Sequence, residues 1–388
     1  MTASIAYFAA LGCAIWFAQA ALLFLHLARL RDVATADTPD PADWPSVSAV
    51  IPARDEAVSL ESALRSRLDD DYPALQLIVV DDRSADATPD VINLLAAEDV
   101  RVHAVRIDEL PAGWLGKPHA LACGVRAADG DWLLISDADV QLSPGGLRRA
   151  VAYCLSRNLD FLALVPEFRS RSFGVDVVWS VFMRVLGTFV DPAAVRRPES
   201  RAAMGSGAFM LARRDVFDRT AGFEHLRLET TDDIALGMMM KQAGGRCDFA
   251  NGRDIASISI YDDLGAFFRG IEKNAGSLVR APFAAVLVLI GIAGLVELSP
   301  FVALFLGTGW IKWLGAATVA VATAATASAL WRNTRMIVPA LLWPIGWLLV
   351  AAGILRAAWL LHLRGGVMWR ETFYSREELL GGQRFRML

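Results

Sequence analysis

Residues 3–28 contain no Asp, Glu, Lys or Arg, a run sufficient for one helical bilayer crossing at about 20 apolar residues each. His26, Arg29 and Arg31 close it. Its positive charge follows the apolar run and no small-residue cleavage site appears, so residues 1–31 read as an uncleaved anchor. Three further apolar stretches lie near 281–307, 313–331 and 336–355, giving two to three membrane segments within 281–363. Between these regions the pattern changes. A linker over 32–46 carries Pro39, Pro41 and Pro45, and from Val47 short β-branched runs alternate with helix-period stretches. Strands are expected at Val47–Ala53, Gln76–Asp81, Val100–Ile107 and Trp132–Ser136, with helices near 57–68, 86–98, 117–128 and 145–157. The alternation predicts an α/β domain over 47–262, its mostly parallel sheet covered on both faces.

A mean hydropathy of +0.39 with 55% hydrophobic residues agrees with a chain partly in lipid. All but five of the 42 acidic residues fall between Asp32 and Asp263. A net charge of −4 without a dense basic run excludes a nucleic-acid partner. Cys13, Cys123, Cys154 and Cys247 are too dispersed for a disulfide framework or a metal cluster. The positive-inside rule, applied to Arg29 and Arg31, puts the central domain in the cytoplasm. Three further crossings would then leave the tail 364–388 outside, although it holds five arginines against three glutamates. Glu297 and Pro300 interrupt 281–307, so that stretch is expected not to cross.

Two other stretches bear on the membrane. Residues 263–280 are amphipathic, with Phe267, Phe268, Ile271 and Leu278 apolar and Arg269, Lys273 and Arg280 basic, as in a helix lying among headgroups. Val175–Val190 is strongly apolar inside the central domain, and reads either as core helix or as part of a surface facing lipid.

The candidate chemistry is acidic. The second strand ends in Asp81-Asp82-Arg83-Ser84 and the fourth in Asp137-Ala138-Asp139. Ligands bind at the carboxyl ends of strands in open α/β sheets, where two carboxylates can hydrogen-bond a nucleoside; the first cluster can equally cap the next helix. Two carboxylates one residue apart can converge on a hard divalent cation bridging phosphates. Gly113-Trp114-Leu115-Gly116-Lys117 opens a helix whose N-terminus favours anions, where Lys117 can add a point charge, or it is an ordinary turn with a solvated lysine. In Glu229-Thr230-Thr231-Asp232-Asp233, one acid of the last pair can take a hydroxyl proton, or both can serve as helix-start acids.

The order and spacing of these pieces resemble glycosyltransferase family 2, inverting enzymes of GT-A fold. The resemblance spans roughly 47–275. It rests on Val50-Ile51-Pro52-Ala53-Arg54-Asp55-Glu56, Asp81 through Thr88, Gly116-Lys117 with Ala120 and Gly124, and Asp137-Ala138-Asp139. It continues through Gly205-Ser206-Gly207-Ala208-Phe209-Met210 with Arg213-Arg214, Gly222-Phe223 and Asp232-Asp233. It implies a GT-A (Rossmann-like) domain with an N-terminal transmembrane anchor and C-terminal transmembrane helices. Pro52, Asp55, Glu56, Asp82, Lys117 and Asp137 would bind a nucleotide-sugar donor, Asp82 holding a uracil-type base. Asp139, with Asp137, would ligate Mn2+ or Mg2+, and Asp233 would be the base. Asp232 replaces the family's usual Glu, which leaves the choice between the two acids open. Gly205, Ser206 and Gly207 would border the acceptor. The Gln-x-x-Arg-Trp motif of polymer-extruding members is absent from the sequence, so non-processive transfer is expected. The layout resembles the branch that glycosylates carotenoid or hopanoid-type lipids at the bacterial cytoplasmic membrane, multi-pass, with the catalytic domain facing the cytoplasm. Alternatives are a polyprenyl-phosphate sugar synthase and an inactive scaffold of the same fold.

Overall fold

The structure, a computed structural model, describes residues 3–274, 278–369 and 372–385. Residues 275–277 of the amphipathic stretch, and Arg370, Glu371 and Arg386 of the tail, lie outside the described residues, as does the side chain of Lys273.

Helix α1 spans Ala3–Arg29. The expected β/α alternation follows, with β1 (Val47–Ala53), α2 (Ala57–Leu68), β2 (Leu75–Asp82), α3 (Thr88–Glu98), β3 (Val102–Ile107), α4 (Gly116–Ala127) and β4 (Trp132–Ile135). Next come β5 (Gln141–Leu142), α5 (Gly146–Ser156), β6 (Phe161–Phe168), α6 (Phe173–Phe189), α7 (Pro192–Arg196) and β7 (Met210–Arg213). Short α8 (Arg214–Phe217) and α9 (Gly222–His225) lead to α10 (Asp232–Gln242) and β8 (Cys247–Ile258). The remainder is α11 (Leu264–Asn274), α12 (Phe283–Leu306), α13 (Trp310–Thr334), α14 (Trp343–Arg364), the hairpin β9 (Gly366–Trp369) and β10 (Thr372–Ser375), and α15 (Arg376–Gly382).

The chain divides into two compact units. One holds Leu30–Arg169, Pro192–Ser259 and the chain from Glu378 onward. Its eight-stranded sheet has the order β3-β2-β1-β4-β7-β6-β8-β5. β3, β2, β1 and β4 are mutually parallel, so their carboxyl ends share one edge. β7 is antiparallel to both β4 and β6, pairing Met210 with Ile135. The chain entering β7 therefore meets the chain leaving β4. Strands β1, β2 and β4 are buried almost throughout, as a sheet covered on both faces requires. The linker is anchored to this unit: Asn251 Nδ2 donates to Asp32 Oδ2 (2.9 Å), and Arg31 pairs with Asp248 (3.2 Å).

The second unit is helical and comprises the residues up to Arg29, Ser170–Asp191 and Ile260–Glu377. Among the described residues, four helices are long and apolar enough to cross a membrane: Ile5–Arg29, Phe283–Leu306, Trp310–Thr334 and Val338–Arg364. Within the stretch 281–307, expected to stay out of the bilayer, Phe283–Leu306 forms one continuous helix through Pro300. Glu297 does not interrupt it because Arg184 of α6 donates to its carboxylate at 2.9 Å, and both side chains are buried. The guanidinium also lies over the Trp16 ring, 4.6 Å from its centroid. An unpaired buried ion costs several kcal/mol or more, so pairing and a cation–π contact are what make these charges tolerable. The apolar run at 175–190 accordingly leaves the sheet domain, and α6 packs with α1, α13 and α14.

α1 and α12 cross with Gly12 packed against Ser299. α14 begins midway along its neighbours: Trp343 Nε1 donates to Thr323 Oγ1 of α13 (3.2 Å), and its ring lies 5.0 Å from that of Trp16. Its other end places Trp359 and His362 beside Phe283, the first residue of α12. Phe267 and Ile271, part of the apolar face of α11, pack at Gly353 of α14, so that face is turned into this unit. Glu272 binds both Arg356 and Arg364.

Candidate active site

The acids on the shared sheet edge are locked by neighbouring loops. Asp55 and Arg83, just after β1 and at the end of β2, hold left-handed backbone with φ of 54° and 59°. Non-glycine residues take that region rarely, and it gathers at functional sites. Asp55 N–H donates to Ser84 Oγ (3.0 Å), and Asp55 Oδ1 accepts from Ala85 N–H (2.8 Å). Glu56 N–H donates to Thr88 Oγ1 (2.8 Å), while Asp86 accepts from the N–H groups of Ala57 and Thr88. Pro52 is half-buried within β1, paired in register with Val80. The Asp82 carboxylate is nearly buried and accepts a two-pronged bond from Arg83 (2.8 and 3.1 Å). These residues line the β1 and β2 end of the edge.

The other end gathers around Lys117. From the first turn of α4, Lys117 Nζ lies 2.6 Å from Asp137 Oδ1 and 3.8 Å from Asp232 Oδ2. Asp137 is delivered by β4, Asp232 by the start of α10. Between them runs Gly205-Ser206-Gly207: Asp137 N–H donates to the Gly207 carbonyl (3.0 Å), and Gly207 N–H donates to Asp233 Oδ2 (3.1 Å). A Cβ at Gly207 would meet both Asp137 Oδ2 and Lys117 Nζ at 2.9 Å, and one at Gly205 would overlap the Asp233 carbonyl. Only glycine lets this segment approach so closely. Asp233 Oδ1 accepts from Ile234 N–H (2.8 Å), which fixes the second carboxylate oxygen. Ser206 contributes its carbonyl to a turn with Phe209 N–H (3.0 Å).

One contributor escaped the sequence reading. Arg67 of α2 is fully buried, and its guanidinium donates to the carbonyls of Ala63, Val140 and Asp137 and to Ser136 Oγ (2.6–3.1 Å). It braces the turn carrying Asp137 and Asp139 from behind. The signal was present: Leu60, Ala63, Leu64 and Arg67 share one buried helical face, and a charged residue on an apolar stripe marks an internal partner.

Charge crowding defines the electrostatics. Burial pushes the Asp139 carboxyl up to about 6, with Asp137 and Glu56 adding repulsion. Burial likewise lifts Asp232 to about 6, Lys117 opposing and Asp233 and Asp137 reinforcing the rise. Burial alone would lower Lys117, but the charges of Asp137, Asp232 and Asp233 outweigh it and hold its pKa above the ordinary lysine value. Burial brings Arg67 down to about 10, with Asp139 and Asp137 pulling the other way.

No three His, Cys, Asp or Glu side chains form a metal cage by themselves among the described residues. Asp137 and Asp139 nevertheless fit a hard divalent cation that takes its remaining ligands from a diphosphate, because their mutual repulsion is what such an ion relieves. The arrangement can therefore receive an anionic, metal-chelating group beside Lys117 and place a carboxylate, Asp233, next to it.

Residues 45–263 match the family model described as "Glycosyltransferase like family 2". The chain is similar to the succinoglycan biosynthesis protein ExoO of Rhizobium meliloti, 28% identical over 211 residues, 52% of this chain and 58% of that protein. It is also similar to 4,4'-diaponeurosporenoate glycosyltransferase of Staphylococcus haemolyticus, 35% identical over 98 residues, 25% of each. The matches thus span only part of these relatives' lengths. Among solved structures, mannosyltransferase PcManGT from Pyrobaculum calidifontis, in complex with GDP-Man and Mn2+, aligns with a TM-score of 0.56 at 20% identity, over 95% of this chain and 100% of that one. That likeness is one of fold, the GT-A type.

The raised carboxyls give a pH dependence. Asp139 and Asp232 bind protons more tightly in the folded chain than at the ordinary value of 3.8, so their stabilising contribution is complete below that value and lost as pH rises through about 6. The thermal midpoint of metal-free protein should fall between about pH 4 and about pH 7, and Asp139→Asn should flatten that fall. A midpoint that climbs through this window would contradict the assignment.

Proposed function

The chain belongs to glycosyltransferase-like family 2, and we propose that it transfers one sugar at a time from a nucleotide-sugar, of UDP type, to a hydroxyl on a membrane lipid, with inversion. The observation that carries this reading is the convergence of Asp137, Asp232 and Asp233 on Lys117 at the carboxyl edge of the sheet.

In this reading Pro52, Asp55, Glu56 and Asp82 border the nucleoside, and Lys117 meets the diphosphate. Mn2+ or Mg2+, held by Asp139 and Asp137, would supply Lewis-acid charge to the departing diphosphate. The two acids of α10 divide the remaining work. Asp232 is buried and faces Lys117, so it holds the lysine in place. Asp233 is less buried, and its carboxylate is oriented by Gly207 and Ile234. It takes the proton as the acceptor oxygen bonds the anomeric carbon and the carbon–diphosphate bond breaks. Gly205-Ser206-Gly207 borders the acceptor. A lipid acceptor is supported by the helical unit, and the relative from Staphylococcus haemolyticus is named for a carotenoid acid.

For the membrane we propose three crossings, α1, α12 and α13, with α14 a re-entrant helix. α14 starts at mid-length of α1 and α13 and ends level with the start of α12. Both Arg29 and Arg364 then lie on the cytoplasmic side, as their charge favours. This resolves the arginine-rich tail without excluding 281–307 from the bilayer.

Two measurements test these readings. Detergent-purified protein with UDP-sugars should glycosylate a hydroxyl lipid of hopanoid or carotenoid type, and Asp233→Asn should lower that rate about 100-fold or more. Transfer to a polyprenyl phosphate that survives Asp233→Asn would replace the reading with a phosphate acceptor. A cysteine introduced at Arg364 should react with impermeant maleimide only after cells are opened; labelling of intact cells would restore a fourth crossing.

A further inference from the structure

Glu229 takes no part in the chemistry above, yet it is only 1% exposed and lies just ahead of the acid pair. A buried carboxylate is tolerated only when its oxygens are hydrogen-bonded. Oε2 accepts from the backbone N–H groups of Arg384 (3.0 Å) and Phe385 (3.3 Å), and Oε1 accepts from Thr231 Oγ1 (3.3 Å). A segment 155 residues away in sequence is thus clasped by one side chain. The contact extends further. The Phe385 ring stands edge-on to His225 at 6.1 Å, and Leu379 is buried. Gly382 is seated on Leu228 so closely that a Cβ there would overlap the leucine side chain.

The loop that receives this segment reaches the reacting groups by two routes. The Arg227 carbonyl accepts from Leu115 N–H (2.7 Å), the residue before the helix that carries Lys117. In the other direction the loop runs directly into Asp232 and Asp233 at the start of α10. Loss of the clasp would leave a buried, unsatisfied carboxylate and free the loop that spaces Lys117 from Asp233.

We propose that Glu229 is a positioning residue: by clamping the Arg384-Phe385 backbone it sets the register of Asp233 against Lys117. The inference rests on the glycosyl-transfer reading for its kinetic consequence, but not for the clamp itself.

The test uses the full chain in detergent. Glu229→Ala should lower kcat about tenfold or more while the KM for nucleotide-sugar stays within about threefold, the size expected from a small misplacement of a reacting group. Glu229→Gln, whose amide oxygen can still accept both N–H groups, should return kcat to within about threefold of wild type. Gly382→Leu, which pushes the segment off Leu228 and leaves Glu229 intact, should behave like Glu229→Ala. Amide hydrogen exchange supplies the independent readout: Arg384 and Phe385 should be protected in wild type and in Glu229→Gln, and exposed in the other two. Fast exchange of those amides in wild type overturns the clamp whether or not the variants fold. Unchanged kcat in Glu229→Ala and Gly382→Leu, or lost kcat in Glu229→Gln with the amides still protected, overturns the positioning role. Protected amides in a wild-type protein that uses no donor would instead count against the glycosyl-transfer reading.

Discussion

The ion pair that joins Lys117 to Asp137 and Asp232 is the interaction on which the site depends. Those carboxylates arrive from separate elements, the end of β4 and the start of α10, where their like charges repel and burial raises the Asp232 carboxyl. A single ammonium between them makes the approach favourable. Other features serve the same geometry: Gly205 and Gly207 allow the β7 approach to run between the two acids, and Arg67 fixes the β4 turn from inside. What is left over is negative charge at Asp139, which suits a cation delivered with a diphosphate.

The helical unit follows the same physical rule. Arg184 and Glu297 are ions within apolar helices, and each is acceptable because the other is 2.9 Å away with Trp16 beneath the guanidinium. The pair binds α6 to α12, and explains why a run with an arginine near its centre packs among apolar helices. Buried charge here is a means of pairing elements distant in sequence, at the cost of strong sensitivity to loss of either partner.

Much of this was legible in the sequence because strand ends carry two signals at once, β-branched runs followed by clustered acids, as at Val79-Val80-Asp81-Asp82 and Leu134-Ile135-Ser136-Asp137. Parallel strands then bring those ends to one edge without further information. Three features were less accessible. Arg67 looks like a solvated helix residue until its face is compared with Leu60 and Leu64. Apolarity alone says that α6 is buried, not which unit buries it, and it does not reveal that α14 begins at the level of Trp16, on which the proposal of a re-entrant helix rests. Glu229 depends on backbone groups of residues 384 and 385, and backbone donors leave no trace in side-chain identity.

The central claim is that the carboxylates around Lys117 form a metal-dependent diphosphate site. Calorimetric titration of the purified chain with UDP and GDP, with and without Mn2+, tests it most directly. One nucleoside diphosphate should bind in the presence of Mn2+, more weakly with chelator, and not measurably to the Asp137→Asn, Asp139→Asn double variant. Absence of binding by folded wild-type protein with metal present, or binding indifferent to both metal and the double substitution, would contradict the account.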